Sequence, residues 1–362
     1  MITLIVIIGL IVLILAHEFG HFIAAKLFNV KVEEFGIGYP PRLFGKQIGE
    51  TLYSVNLLPL GGFVRIHGED EKLEKEEHEK DETIDSLSSE RSFANQAIWK
   101  RAIILIAGVT MNMIVGWFIF SGVLMMGSPA HLAVAEVAKD SPAYTAGMRP
   151  NDFIVGAKLG ATTLTDPILG DNFIGAMKQV AGEKVSVDVL RDGKTETFEI
   201  MSRANPPAGE GSLGISLADA GVARQSFFKA IGNGFMVAVT VFWLTLKGFV
   251  SLIISIFTTP GTALAGVAGP VGVFGIASQT GKMGLIYLFQ LIALISVNLA
   301  VLNLIPFPAL DGGRVFFLLI EKVKGSPVSY KTQKIVNMVG FAALILLMVF
   351  VTIHDVGNIL RK

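Results

Sequence analysis

Hydrophobic residues along this chain are concentrated in long runs rather than spread over short alternating segments. An α-helix needs about 20 apolar residues to cross the roughly 30 Å hydrocarbon core of a bilayer, and four runs reach this length. They lie within residues 1–28, 99–127, 283–320 and 335–353. This pattern predicts a polytopic α-helical membrane protein with about four spans.

A fifth apolar segment, residues 225–258, differs from these runs because it carries a narrow polar stripe. At 100° per residue, a set of polar side chains falls within about 40° of one line along a helix. The set comprises Gln225, Lys229, Asn233, Thr240, Lys247, Ser251 and Thr258. A helix at the membrane surface, or one that lines a wet crevice, explains this stripe better than a span surrounded by lipid. We therefore expect an amphipathic, membrane-associated helix here.

The insert over residues 130–203 has a different pattern and predicts a small α+β domain. Short strands are expected at residues 134–137 and 153–155, on either side of a short helix that begins after Ser141 and ends at Gly147. A capped amphipathic helix and two alternating strands follow, and the Asp-Gly pair between these strands is typical of a hairpin turn.

Basic residues orient the predicted spans. The segment of residues 29–98 and the connection after residue 320 are rich in Lys and Arg, and loops of this kind face the cytoplasm. With four spans, both termini and the inserted domain are then expected on the outer side. A cluster of acidic residues between positions 69 and 82 predicts a solvated loop within the first basic segment.

Composition narrows the chemistry that the chain can perform. Hydrophobic residues make up 52% of the 362 residues and charged residues only 17%, which again indicates a membrane protein. Thirty Lys and Arg balance thirty Asp and Glu, so no basic field favours nucleic acid as a partner. The absence of cysteine excludes disulfides, thiol nucleophiles and thiolate metal sites, so any metal must be held by His and carboxylate groups.

The motif His-Glu-x-x-His in the first run has the spacing of a helical metal site. His17 and His21 are four residues apart, so both imidazoles project from one face of a helix with Glu18 beside them. Such a glutamate can act as a general base while zinc polarises a peptide carbonyl. Ionisable groups within an apolar span are costly and usually functional, although a polar helix-contact cluster near the membrane surface is the alternative.

Two histidines leave a catalytic zinc one protein ligand short, because such sites usually have three. In the third run, Asp311 is the first charged residue after position 283. Pro306 and Pro308 are expected to break or bend the helix just before it, which is tolerated only where the freed backbone is buried in protein or lines a cavity. Asp311 is therefore the candidate third ligand, and a turn residue at a helix end is the alternative.

These features together resemble the bacterial site-2 proteases, the intramembrane zinc metalloproteases of the regulator of sigma-E protease type. The likeness rests on His-Glu-Phe-Gly-His and on Asn-x-x-Pro-x-Pro-x-Leu-Asp-Gly-Gly, which begins at Asn303. Residues 107–112 are similar to the family's Ala-Gly-Pro-x-x-Asn segment, with Val109 in place of proline. Residues 140–152 resemble the Asp-Ser-Pro-Ala signature of bacterial PDZ domains. The chain has room for one such domain, whereas some relatives carry two.

The resemblance implies roles for specific residues: zinc ligands at His17, His21 and Asp311, and a catalytic base at Glu18. It also implies an extracytoplasmic PDZ domain and a membrane re-entrant β-hairpin region at residues 34–66, for which a cytoplasmic surface hairpin is the alternative. Asn303 is a candidate for binding the substrate backbone or the oxyanion, and an asparagine that joins two helices is an equal alternative.

We therefore expect an intramembrane zinc metalloendopeptidase that cleaves transmembrane segments, such as those of anti-sigma factors or signal-peptide remnants, in regulated intramembrane proteolysis. The implied location is the bacterial inner membrane, where the partners are transmembrane substrates and the lipid bilayer. A non-catalytic PDZ membrane receptor with a protease-like fold is the alternative, but the retention of Glu18 with all three candidate ligands argues against it. A metal transporter is a third alternative, but it is expected to carry ionisable residues along several spans, whereas here they converge at one depth. The sequence predicts neither the oligomeric state nor the particular substrate.

Overall fold

The computed structural model describes residues 2–69, 90–150, 152–165, 168, 170–191, 194–207, 209–258 and 269–360. The chain forms two compact units. The first, here called the helical unit, comprises Met1–Phe120, Gly234–Ser278 and Leu288–Lys362. The second, called the sheet unit, comprises Ser121–Asn233 and Gln279–Tyr287. The predicted acidic loop after Glu69 and the predicted Asp-Gly turn at residues 192–193 lie outside the described residues.

The secondary structure agrees with the predicted alternation of long apolar helices and one compact insert. In chain order the elements are α1 (Ile2–Leu27), β1 (Val32–Ile48), β2 (Thr51–Ile66), α2 (Ile98–Met126), β3 (Ser128–Val137), α3 (Pro142–Ala146), β4 (Phe153–Leu159), β5 (Thr162–Thr165), α4 (Gly170–Gln179), β6 (Lys184–Arg191), β7 (Lys194–Met201), β8 (Ile215–Val222), α5 (Phe227–Thr258), α6 (Pro270–Met283), α7 (Leu285–Leu304), α8 (Asp311–Lys324) and α9 (Tyr330–Leu360).

Five of the described helices, namely α1, α2, α5, α7 and α9, are long and apolar enough to cross a membrane. The helix beyond the predicted four is α5, the segment with the polar stripe. Within the helical unit, Ala238 of α5 packs in a cluster with Phe120 and Val297, and the Thr245 hydroxyl donates to Asn298 Oδ1 at 2.7 Å. These contacts lie on the face opposite the stripe, because Thr245 is about 160° from its centre at 100° per residue.

The third predicted span is divided into two helices. Helix α7 ends at Leu304, and α8 begins at Asp311 after a non-helical segment that contains the two prolines. Proline lacks an amide hydrogen and its ring clashes with the preceding helical turn, which explains the break. A Cβ on Gly312 would lie 2.2 Å from the Ile305 carbonyl oxygen, so only glycine permits this close return of the chain. The turn therefore delivers Asp311 to the first position of a new helix.

The predicted β-hairpin region folds as strands β1 and β2. Phe35 of β1 pairs with Val64 on one side and with Tyr53 on the other, because β2 passes β1 twice. The second passage, residues 62–66, pairs only with β1 among the described residues and is called the edge segment below. Its last residue, Ile66, packs in an apolar cluster with residues of α1 and α2, which fixes the edge segment beside these helices.

The turn between β1 and β2 is held to α1 by charged groups. Glu50 Oε1 accepts a hydrogen bond from Lys26 Nζ at 2.6 Å, and the two carboxylate oxygens accept from the Arg91 guanidinium at 2.7 and 2.8 Å. Lys26 lies in the last turn of α1. A bidentate arginine and a second cation therefore anchor the hairpin to the end of the helix.

The sheet unit contains a β-sheet in the order β7-β6-β4-β3-β8, with β5 paired to β4. Apolar residues of the sheet and of α4, such as Val187 and Phe173, form its buried core. Ser141 caps α3 through its side-chain oxygen, and Gly147 ends that helix at a φ of 92°, as predicted. Strand β8 pairs with β3 and extends the sheet beyond the boundary expected at residue 203. The Pro206-Pro207 pair is a connection within the unit.

Candidate metal centre

Helices α1 and α2 approach each other closely because glycine occupies both sides of the contact. A Cβ on Gly20 would lie 2.4 Å from the Ala107 carbonyl oxygen, and a Cβ on Gly108 would lie 2.4 Å from Nε2 of His21. Real side chains never come so near, so a larger residue at either position would separate the helices. The two glycines thus create the space in which the imidazoles lie.

The two histidines and the candidate aspartate converge in this space. Nε2 of His17 and Nε2 of His21 are 3.2 Å apart, and Asp311 Oδ2 lies 2.9 and 3.3 Å from them respectively. Both imidazoles are buried, and the carboxylate is largely so. These three side chains are the one group in the described part of the chain with the composition and spacing of a metal site.

The orientation of His21 is fixed from behind by the backbone of α2. Its Nδ1 lies 2.8 Å from the Ile104 carbonyl oxygen, which can only accept a hydrogen bond. Nδ1 must therefore carry the proton, and Nε2 presents a lone pair to the centre of the cluster. A metal-binding histidine is typically held in this way.

The donor set and its spacing fit zinc. Zinc bonds of about 2.0–2.2 Å in a tetrahedron place the ligand atoms roughly 3.3–3.6 Å apart, close to the triangle formed by His17, His21 and Asp311. Asp311 Oδ2 is buried, and no group outside the two imidazoles donates a hydrogen bond to it among the described residues. Two ring nitrogens and a carboxylate oxygen that face one another without donors are stabilised by a cation between them.

Glu18 lies beside the triangle and faces the edge segment. Its Oε2 accepts a hydrogen bond from the Val64 backbone N–H at 3.2 Å. A cavity of about 520 Å³ is lined by Glu18, His21 and Asp311 on one side and by residues of the edge segment on the other. The sequence did not indicate the contact with Val64, because it is made by a backbone atom and leaves no side-chain signature.

Asn303 also reaches the cluster. Its Nδ2 lies 3.5 Å from Nε2 of His17, and the residue is the last but one of α7, immediately before the helix break. A second, smaller cavity of about 240 Å³ is lined by Asn303 and Asn112 together with His17, Glu18 and Asp311. The structure therefore brings all five residues singled out from the sequence into one place.

Comparison with known proteins agrees with this geometry. The model of peptidase family M50 matches residues 5–347. A provisionally named zinc metalloprotease of Clostridium perfringens is 36% identical, with 95% of each chain covered. A similarly named Nostoc protein is 32% identical over 96% of this chain and 93% of its own, and the regulator of sigma-W protease RasP of Bacillus subtilis is 28% identical over 96% of each.

The family match covers the metal cluster, the divided helix and most of each apolar helix. Relatives to which the chain is similar are named zinc metalloproteases. This chain belongs to peptidase family M50, the site-2 protease family, and it is a zinc-dependent, multi-pass membrane metalloprotease.

Proposed function

We propose that this protein is an intramembrane endopeptidase that hydrolyses peptide bonds in the transmembrane segments of other proteins, with zinc held by His17, His21 and Asp311. The observation that carries the proposal is the triangle of ligand atoms, two of which belong to α1, a helix that is apolar enough to cross a bilayer. Ionisable groups are costly in such surroundings, so their convergence calls for a functional explanation.

Zinc supplies Lewis acidity, which polarises the peptide carbonyl and makes a water molecule more acidic. The chain's own contribution is the movement of protons. Glu18 is placed beside the ligands in the larger cavity, where its carboxylate can accept a proton from an attacking water and pass it to the departing amide nitrogen. We propose Asn303 as a donor to the substrate backbone or to the developing oxyanion, on the basis of its position near His17.

The edge segment is the proposed binding site for the substrate backbone. A transmembrane helix hides its peptide groups in internal hydrogen bonds, so a scissile bond must be unwound before it can be attacked. A strand edge without a partner offers new hydrogen bonds to the unwound chain by β-augmentation. Residues 62–66 pair with no strand other than β1 among the described residues, and residues 63–66 line the cavity that contains Glu18, which supports this role and the re-entrant assignment of the hairpin region. The Val64 N–H, which donates to Glu18, would have to be released to bind the substrate.

We further propose that the sheet unit is a PDZ domain. The protein is then located in the bacterial inner membrane, with this domain on the extracytoplasmic side. Support for the domain type comes from the Asp-Ser-Pro-Ala signature, which forms a capped helix and ends in the buried Asp152. Support for the location comes from the basic loops before α2 and after α8. Whether α5 crosses the membrane decides the number of spans, and we propose that it lies at the membrane surface because of its polar stripe.

The test is cleavage of a model transmembrane substrate by the purified full chain in lipid. Glu18→Gln keeps the shape of the side chain but removes its basicity, so turnover should fall by about 10²–10⁴-fold while bound zinc is unchanged. Glu90→Gln, at an exposed position of the helical unit, is the matched control and should retain turnover. Normal cleavage by Glu18→Gln would contradict the proposed mechanism.

A further inference from the structure

Asn112 of α2 is a buried polar residue that the proposed chemistry does not use. It is 1% exposed, and its Nδ2 lies 3.3 Å from Nδ1 of His17. Its Oδ1 is buried and has no hydrogen-bond partner among the described residues. A buried amide oxygen without a donor is unusual and requires an explanation.

The chemistry of the imidazole supplies that explanation. If Nε2 of His17 presents its lone pair to the metal cluster, Nδ1 carries the proton and must donate it. The neighbouring group is then required to be an acceptor, and the acceptor of an asparagine is Oδ1. Rotation of the amide by 180° exchanges Oδ1 and Nδ2, which have almost the same shape. The rotated amide gives both the Nδ1 proton and the orphaned oxygen a partner.

The position of Asn112 is itself fixed by a neighbouring helix. Its backbone carbonyl oxygen accepts a hydrogen bond from the Ser296 hydroxyl at 2.8 Å, and Ser296 of α7 is fully buried. This bond joins α2 to the helix that also carries Asn303. The backbone of α2 at Asn112 is thereby held by a third helix.

We infer that Asn112 is a positioning residue that accepts the Nδ1 proton of His17 through Oδ1 and so fixes the tautomer and the ring orientation required for metal binding. The inference rests on the proposed role of His17 as a ligand. Asn112 does for His17 what the Ile104 carbonyl does for His21, so α2 orients both imidazoles, one through its backbone and one through a side chain.

The test measures zinc affinity rather than cleavage. The purified full chain in detergent is stripped of metal, and zinc is titrated in competition with a chelator. Asn112→Leu should weaken zinc binding about 10–100-fold, as expected when the outer hydrogen bond of a ligand is lost. Asn112→Asp retains an acceptor at the same position and should restore most of the affinity.

Asn298→Leu is the matched control, because it removes another asparagine from an apolar helix without touching the cluster. Its side chain accepts from Thr245, and its loss should leave zinc affinity unchanged. Thermal unfolding of the metal-free proteins shows whether each variant folds, and Asn112→Ala replaces the leucine variant if that one does not. Wild-type affinity in the folded leucine or alanine variant, or an aspartate variant as weak as these, would overturn the inference.

His17→Ala separates this inference from the proposed function. If His17→Ala loses zinc while Asn112→Leu does not, Asn112 has only a packing role and the ligand assignment stands. If His17→Ala binds zinc as the wild type does, the ligand assignment itself is wrong. Loss of affinity in both variants, with recovery in Asn112→Asp, is the expected result.

Discussion

Two aspartates that are largely shielded from solvent, Asp152 in the sheet unit and Asp311 in the helical unit, differ in what surrounds their oxygens. Asp152 of the sheet unit accepts hydrogen bonds from the Arg149 N–H at 2.8 Å and from the Arg191 guanidinium at 2.6 and 2.7 Å. Asp311 of the helical unit has one oxygen, Oδ2, whose polar neighbours among the described residues are the two imidazole nitrogens. The negative charge of Asp152 is balanced by an arginine of the protein itself, whereas Oδ2 of Asp311 lacks such a partner and is available to a bound cation.

This difference separates a structural role from a functional one. A buried ion pair with its hydrogen bonds complete stabilises a particular chain path, and Arg191 indeed also donates to the Gly147 carbonyl oxygen at the end of α3. An incompletely bonded carboxylate costs free energy in the isolated protein and recovers it when a ligand arrives. The surrounding helices tolerate the cost because apolar packing, rather than the cluster, holds them together.

The largest effect is expected from Asp311→Asn, which should lower both zinc occupancy and turnover to near background. A neutral amide binds a dication far less well than a carboxylate does. Asp355→Asn is the matched control: Asp355 is a buried aspartate of the same unit whose Oδ2 accepts from the Gly269 and Gly272 amides, so its loss should affect stability and not zinc content. Metal analysis and the cleavage assay check both variants. Full zinc content in Asp311→Asn would show that Asp311 is not needed to bind the metal, and the functional contrast with Asp152 would be lost.

Asp152→Asn should have the opposite profile. The change leaves Arg191 without its main charge partner, which in a buried pair costs about 3 kcal/mol. Thermal unfolding and limited proteolysis should report a less stable sheet unit with unchanged zinc content. Glu199→Gln is the control, because Glu199 pairs with Lys184 on the exposed surface and its loss should not measurably change stability. Wild-type stability of Asp152→Asn would show that its ion pair is not structural.

Glu50 is a carboxylate that is paired with two cations, as Asp152 is with one, but it is more exposed to solvent. Its substitution is therefore expected to have the smallest effect. Hydrogen bonds from Arg91, with a further contribution from Lys26, lower the pKa of Glu50 from 4.5 to about 2. The stabilisation is present above the ordinary pKa and is lost as pH falls through the lowered one. The thermal unfolding temperature of the wild type should therefore fall as the pH is lowered from 4.5 to about 2. Glu50→Gln should flatten this fall and should lower the free energy of unfolding by about 1 kcal/mol at neutral pH. An identical pH dependence in both proteins would contradict this.

Sequence patterns predicted the parts of the fold that depend on neighbours along the chain. Apolar runs indicated where the long helices lie, and the prolines indicated the break before Asp311, but α9 begins five residues before the predicted run and ends seven residues after it. Residue-level capping signals identified the short helix between Ser141 and Gly147. Strand β8 was missed because its partner, β3, is remote in sequence.

The sequence alone determined which side chains can hold zinc. The four-residue spacing of His17 and His21 places both imidazoles on one helix face whatever the rest of the chain does, and the absence of cysteine leaves only nitrogen and oxygen ligands. Only the tertiary structure decided that Asp311 joins them, that the Val64 amide contacts Glu18 and that Asn112 stands behind His17. These contacts join distant segments or use backbone atoms, so they follow from helix packing and strand register and leave no local pattern to read.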